Sequence, residues 1–381
     1  MKSSTIRIFL YGYYGTNNVG DDLLLAAVIK TLKNLKPNIE FSVKCLNKPS
    51  NITEQNVRFV QLEKIMIDVR QSKIKRLFEY GRNAWLSLSS CDIFILGGGT
   101  LFHARHNSPV NLMIIVMWVL FAKLRGAKIY ALGVGVAPLH NIFVNKLLQL
   151  IIGCCVDFAV RDKSSLKQCE YKKEIKANVR LTADLIFAEP FKRPSFVITG
   201  NKPVLGLTLA ASDLGVFGEN QTQLFKQLAK ALLVLSDKGW IIRLMIFQDS
   251  DDLSHFSDAA LFDRLGSYCS QNVFEHVRIS SNWVQLAEQY ADLSLVAGMR
   301  FHGHVLSALF GVPFIGLSED NKVIDLCSVL KMPSLKPADV SAEKFIQAVT
   351  ECRARKIDPE TLSSLIRASI ENYTNIKKVF E

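Results

Sequence analysis

The chain has 381 residues, 49% of them hydrophobic and 21% charged, and a formal net charge of +11. This is ordinary globular composition at a length that suits two domains, and it excludes collagen-like, low-complexity and solenoid architectures. The positive excess favours phosphate-rich or anionic partners, but no basic aromatic strand, helix-turn-helix or zinc-finger pattern accompanies it, so nucleic acid is not an expected partner.

The opening MKSSTIRIFLYGYYG lacks a long apolar run and a small-residue cleavage site, and so does not read as a signal peptide. Ile6–Tyr11 reads as a strand ended by Gly12. A helix is expected from about Asp22 to Lys36, with Leu25, Val28, Ile29, Leu32 and Leu35 at helical spacing and Pro37 as its stop. Further strands are expected at Phe41–Leu46, Asp92–Leu96, Lys128–Leu132 and Asp157–Val160. Val110–Ala122 is the most apolar stretch, yet it falls short of a membrane span and is closed by Lys123 and Arg125. It is expected to be a helix packed on a sheet.

Glu189–Lys202 concentrates proline, glycine and charge and marks a domain boundary. A second alternating series follows. Its expected strands are Val204–Leu209, Trp240–Phe247, Leu293–Val296 and Val312–Leu317. Its expected helices are Gln221–Ser236, Asp258–Ser270, Trp283–Tyr290, His302–Phe310 and one from Lys322. A last amphipathic helix covers about Pro359–Lys378. The fold class implied is α/β: two Rossmann-like domains facing across a cleft, in a double-lobed, GT-B-like architecture. The expected division is 1–195, 196–355, and a C-terminal helix 356–381 packing back on the first domain. The first domain is expected on the acceptor side and the second on the donor side.

The eight cysteines are scattered through apolar runs with neither C-x-x-C pairs nor zinc-ligand spacing, so reduced core thiols in a cytoplasmic protein are expected. In Lys64–Trp85, basic residues (Lys64, Arg70, Lys73, Lys75, Arg76, Arg82) interleave with apolar ones (Ile65, Ile67, Val69, Ile74, Leu77, Phe78, Trp85). This reads equally as a solvated helix and loop or as a surface that rests on anionic lipid, peripheral to the inner face of the cytoplasmic membrane.

Parallel sheets bind ligands beyond the carboxyl ends of their strands, so the residues after each strand carry the functional signal. After the first strand, Gly12, Gly15 and Gly20 alternate with Asn17 and Asn18 and lead to Asp21 and Asp22 at a helix start. The glycines allow close backbone approach and the helix start favours anions. The spacing is neither a dinucleotide fingerprint nor a P-loop, and the two aspartates read equally well as helix-capping acids. Gly97-Gly98-Gly99-Thr100 ends the next strand and calls for close contact with a ligand or another backbone. His103 and His106 follow without a third metal ligand; they read first as surface polar residues, then as sugar contacts. Gly133-Val-Gly135 ends a further strand. Arg161-Asp162 ends the next, offering a guanidinium fork for carboxylate or phosphate, or a plain loop ion pair. Ala183-Asp184 precedes the boundary. In the second domain, Arg300-Phe301-His302 stands at a strand-to-helix tip, with His304 as a second imidazole. Gly311-Val-Pro313 leads on to Lys322.

Taken in order, these motifs resemble the polysaccharide pyruvyl transferase family over about residues 7–330. The resemblance implies an enzyme that takes phosphoenolpyruvate as donor and forms a pyruvate ketal on a sugar of a surface polysaccharide or its lipid-linked precursor. It implies donor-binding and catalytic roles for Arg161, His302 and Lys322, with Arg300 beside them. Substrate contacts are expected from Gly15, Asn17, Asn18, Asp21, Gly97, Gly98 and Gly99. No cofactor or metal is implied. Which of His302 and His304 is the acid stays open. A glycosyltransferase of the same architecture, using a nucleotide-sugar donor, is the alternative reading.

Overall fold

The computed structural model describes residues 5–62, 72–103, 108–170, 174–189, 202–210, 219–249, 257–269 and 274–381. Lys64, Ile65, Ile67, Val69, Arg70 and His106, and most of the Glu189–Lys202 boundary, lie outside them. Contacts divide the chain into two units. One comprises Met1–Thr16, Asp21–Glu189 and Leu365–Glu381; the other comprises Asn17–Gly20 and Pro190–Ser364.

The first unit is built on a parallel sheet. Its strands are β1 (Ile6–Tyr14), β2 (Ile39–Cys45), β3 (Val57–Val60), β4 (Ile93–Gly97), β5 (Lys128–Val134), β6 (Asp157–Val160) and β7 (Val179–Leu181). They lie in the order β3-β2-β1-β4-β5-β6-β7. The reversal of direction beside β1 dictates where the helices go. α1 (Val19–Leu35) returns to β2 on one side of β1. α2 (Lys73–Ser87), α3 (Val110–Leu124) and α4 (Ile142–Cys154) lead toward β4, β5 and β6 on the other. Right-handed crossovers then place α1 on one face of the sheet and α2 to α4 on the opposite face. Strands covered on both faces need apolar residues throughout, and β4 and β6 are buried at every position.

The core beneath α2 to α4 centres on Trp118, whose ring lies 5.1 Å from Phe9 and 5.7 Å from Tyr11. Its indole nitrogen donates to the Tyr80 hydroxyl at 3.1 Å, which satisfies the one polar atom of a fully buried side chain. α5 (Lys163–Gln168) follows β6, capped by the Asp162 carboxylate, which accepts from the Ser165 amide.

The second unit carries β8 (Val204–Thr208), α6 (Glu219–Asp237), β9 (Ile241–Ile246), α7 (Asp258–Gly266), β10 (Phe274–Arg278), α8 (Trp283–Ala291) and β11 (Leu295–Gly298). After these come α9 (Phe301–Phe310), β12 (Phe314–Leu317), α10 (Asn321–Val329), β13 (Ser334–Leu335) and α11 (Ala342–Cys352). Its strands, again parallel, run in the order β10-β9-β8-β11-β12-β13. Both α/β sheets expected from the alternating pattern are therefore present.

Where the sequence suggests one final helix, the chain forms two, α12 (Pro359–Glu371) and α13 (Thr374–Phe380). The interruption falls at Asn372, whose side chain accepts from the Thr182 hydroxyl at 2.9 Å and donates to the Ala183 carbonyl at 3.0 Å. The Ser369 hydroxyl donates to the Asp184 carbonyl at 2.7 Å. The end of the chain thus ties down the segment that follows β7. Among the described residues no helix is long and apolar enough to cross a membrane.

Candidate functional site

In the first unit the loops at the carboxyl ends of β1, β4 and β5 pack tightly together. Gly98 and Gly99 have left-handed backbones, φ +58° and +68°, which side-chain-bearing residues rarely adopt. A Cβ on Gly98 would stand 2.9 Å from Leu24 Cδ1, and one on Gly99 would stand 3.1 Å from Asp21 Oδ1. The Gly99 carbonyl accepts from the Gly135 amide at 2.7 Å, and the Gly97 carbonyl from the Tyr14 hydroxyl at 2.9 Å. The triple glycine therefore serves first to bring β4, β5 and the start of α1 together, with the Asp21 carboxylate laid against it.

α1 begins at Val19, before the aspartates rather than at them, because Asn18 caps it: its side-chain oxygen accepts from the Gly20 amide at 3.1 Å. Asn17 adopts a left-handed backbone, φ +56°. Asp22 accepts from the Gly15 amide at 2.9 Å. Burial, which outweighs that hydrogen bond, pushes its carboxyl up to about 7, and the neighbouring Asp21 adds to the rise. A half-protonated carboxyl at neutral pH beside the glycine loops is a feature that reading the residue as a first-turn acid misses. The pairing of two acids at a helix start after a glycine loop was the available signal.

A second polar group lies nearby. Asn111 donates to the carbonyls of Leu101 and His103, which fixes its amide orientation. Its oxygen then accepts from the Tyr13 hydroxyl at 2.7 Å. The Tyr13 oxygen lies 2.9 Å from His103 Nε2. Since the single phenolic proton is committed to Asn111, His103 Nε2–H must be the donor in that contact. Neither Tyr13 nor Asn111 stands out in the sequence, where each sits within an apolar or aromatic run.

Arg161, read from the sequence as a fork for carboxylate or phosphate or as a loop ion pair with Asp162, is buried at the end of β6. Its side chain is 2% exposed. Its guanidinium donates to Asp184 at 3.1 Å, to the Thr100 hydroxyl at 2.9 Å and, more weakly, to Asp162 at 3.4 Å. Gly135 lies directly beneath it, where a Cβ would come within 3.0 Å of Nη2. Asp184, read as a lone acid, is the buried counter-charge. The arginine thus links the β4, β6 and β7 loops from within.

In the second unit the decisive tip is the β11–α9 turn. Gly298 has φ +152°, and a Cβ there would fall 2.0 Å from the Thr208 carbonyl oxygen, so only glycine lets β11 run this close to β8. Arg300 follows as the residue before α9. It grips Asp258 through Nε at 3.1 Å and through Nη2, and also reaches Gln248 Oε1 at 3.1 Å and the Leu209 carbonyl at 3.2 Å. Asp258 is fully buried at the start of α7 and accepts from the amides of Phe247 and Gln248. Burial pushes its carboxyl upward while Arg300 and the amides pull it back.

His302 lies in the first turn of α9, half-buried, with Gly20 against the Nδ1 edge of its ring; a Cβ on Gly20 would overlap Nδ1 at 1.8 Å. His304 is different in kind. It is fully buried and stacked 5.0 Å from Phe314, and its Nε2 lies 2.9 Å from the Gly298 carbonyl, which requires Nε2 to carry the proton. Burial pushes its pKa down to about 4. Lys322 sits in the first turn of α10, its ammonium 2.6 Å from Asp320, which also caps that helix. The second unit thus brings Arg300 and His302 to one helix start and Lys322 to the start of the next helix; Arg161 belongs to the first unit.

Solved structures similar to this chain share its fold at low identity. A UDP-GlcNAc 2-epimerase from Methanocaldococcus jannaschii superposes with a TM-score of 0.62 at 11% identity, covering 98% of this chain and 99% of its own. One from Neisseria meningitidis, bound to UDP-GlcNAc, gives 0.58 at 12% identity, with 97% and 99% covered. A lipopolysaccharide outer core galactosyltransferase gives 0.55 at 13%, with 97% and 98% covered. These likenesses establish the two-sheet, GT-B-like fold. No curated protein matches the sequence closely enough to count as a relative. A family match covers residues 18–321, which include Asn18, the triple glycine, Arg161, Arg300 and His302. On that match, this chain belongs to the polysaccharide pyruvyl transferase family.

Proposed function

We propose that this enzyme transfers the pyruvyl group of phosphoenolpyruvate to two hydroxyls of a sugar in a polysaccharide or its lipid-linked precursor, releasing phosphate and leaving a ketal. The observation that carries the reading is the β11–α9 tip, Arg300-Phe301-His302, within a chain of this family. Phosphoenolpyruvate bears a carboxylate and a phosphate. Arg300 precedes α9 and does not cap it with its side chain, and the His302 imidazole lies in the first turn, so two basic side chains stand at the positive end of the helix, an environment suited to an anion.

The reaction requires a proton on the methylene carbon, attack of one sugar hydroxyl on the adjacent carbon, departure of phosphate, and attack of the second hydroxyl. The two hydroxyl protons balance the one added to carbon and the one taken up by phosphate. His302 is assigned the first proton transfer. Its half-buried ring lies in the first turn of a helix, whereas His304 is sealed in the core with its Nε2 proton held by a carbonyl. Arg300 is positioned by Asp258 to hold the donor, and Lys322 is assigned to the departing phosphate. The resemblance to the family implies a donor-binding role for Arg161. In the first unit, the loops bearing Gly15, Asp21 and Gly97–Gly99 are assigned to the sugar acceptor.

Incubation with phosphoenolpyruvate, with and without cell-envelope oligosaccharide fractions, tests the donor. Phosphate release only in the presence of a glycan supports the assignment. Equal release with and without every acceptor argues against it. Sugar transfer from a nucleotide-sugar donor would replace it with a glycosyltransferase reading.

A further inference from the structure

The three helices on one face of the first sheet carry most of the large apolar side chains that the described residues leave exposed. On α2, Ile74, Leu77 and Phe78 are 81%, 59% and 71% exposed. Their i, i+3, i+4 spacing makes them one face. On α3, Met113, Leu120 and Leu124 are 49%, 37% and 74% exposed. The outward side of this helix bears no charge between Val110 and Ala122, although its inward residues already fill the core. The two faces adjoin: the Trp85 ring meets Phe121 edge-on at 5.4 Å.

Cations border this surface. Lys73, Lys75 and Arg82 lie on α2, and Lys123 and Arg125 at the end of α3. The Arg125 guanidinium lies 3.9 Å over the Trp85 ring. The two acids in the described part of this region are neutralised or engaged: Glu79 pairs with Lys75 at 3.9 Å, and Asp92 accepts from the Arg7 amide. An apolar face with a cationic border is complementary to an anionic lipid surface, where acyl chains receive the apolar residues and headgroups the ammonium and guanidinium groups.

We propose that the α2–α3 face docks the first unit on an anionic phospholipid bilayer. The proposal stands on this surface alone and does not depend on which donor the enzyme uses.

Co-sedimentation with phosphatidylglycerol-containing vesicles tests it, with phosphatidylcholine vesicles as control. Wild type is expected to partition at least about tenfold better onto the anionic vesicles, with binding that weakens as salt is raised. Leu77→Ser/Phe78→Ser and, separately, Lys73→Gln/Lys75→Gln/Arg82→Gln should each lose most of that binding. Because these side chains are exposed, unchanged thermal unfolding should confirm that both variants fold. Wild type remaining in the supernatant at low salt overturns the proposal, as do folded variants that bind like wild type. It is equally overturned if the protein ignores vesicles and instead forms a dimer that Leu77→Ser/Phe78→Ser dissociates. Turnover with a water-soluble acceptor reports separately on the donor assignment.

Discussion

Arg300 and Asp258 are locked in a two-point ion pair at the start of α9, the aspartate fully buried and the arginine 12% exposed by side chain. Two further amides, from Phe247 and Gln248, converge on the same carboxylate. The position of Arg300 is therefore set by a residue 42 places earlier, on a different helix.

Removing one partner of a buried pair strands the other charge. Asp258→Asn should cost about 3–5 kcal/mol of unfolding free energy and release Arg300 from its fixed geometry. Arg300→Lys keeps the charge but loses the fork and should weaken donor binding. Urea unfolding and a donor titration check both effects; a change below about 1 kcal/mol for Asp258→Asn would contradict the structural role.

The two histidines separate cleanly. His302→Gln should lower turnover by about 10²–10⁴-fold with little loss of donor binding and little loss of stability. His304→Gln should instead cost stability. The unfolded imidazole titrates near 6.5 and the folded one near 4, so wild type loses stability as pH falls through that window, by up to about 3 kcal/mol. The stability advantage of wild type over His304→Gln should accordingly shrink between pH 7 and pH 5. If His304→Gln abolishes turnover while His302→Gln spares it, the assignment of the acid is reversed.

Asp22 has the opposite sign. Its folded carboxyl titrates near 7 and its unfolded one near 3.8, so the folded chain holds a proton that the unfolded chain gives up between these values. Stability is therefore fully present at acid pH and is lost as pH rises toward 7. Asp22→Asn keeps an acceptor for the Gly15 amide and removes the titration. Relative to wild type it should gain about 2–4 kcal/mol between acid pH and pH 8, read by urea unfolding. A constant difference would place Asp22 in contact with solvent.

Arg161→Lys tests two consequences at once. Lysine keeps the charge, but one ammonium cannot replace the guanidinium's simultaneous bonds to Asp184 and Thr100, and that loss should cost about 1–3 kcal/mol. Donor affinity should fall as well if the implied binding role holds; full affinity in the folded variant would confine Arg161 to the architecture of the first unit.

The alternation of strand and helix was legible because the central strands are continuously apolar and the helices that cover them repeat at helical spacing. Strands β3, β7, β10 and β13 were not, because short edge strands such as Phe274–Arg278 (FEHVR) carry as much polar as apolar character and owe their structure to a neighbour already in place. The strand-tip reading put Arg300 and His302 at a strand-to-helix turn, where the fold has them. Their partners were hidden. Asp258 and Asp184 lie 42 and 23 residues from the arginines they neutralise, and nothing local distinguishes a buried counter-ion from a surface acid. The same limit applies to His304, since burial depends on Phe314 and Gly298 rather than on the residues beside it.

The central claim is that the enzyme makes a ketal from phosphoenolpyruvate. The direct measurement is the ratio of phosphate released to acid-labile pyruvate recovered in the glycan, using isotopically labelled phosphoenolpyruvate. Equal amounts of the two, both requiring the acceptor and both falling together in His302→Gln, are the predicted result. Phosphate released without pyruvate in the glycan, or no consumption of phosphoenolpyruvate with any glycan, would contradict it.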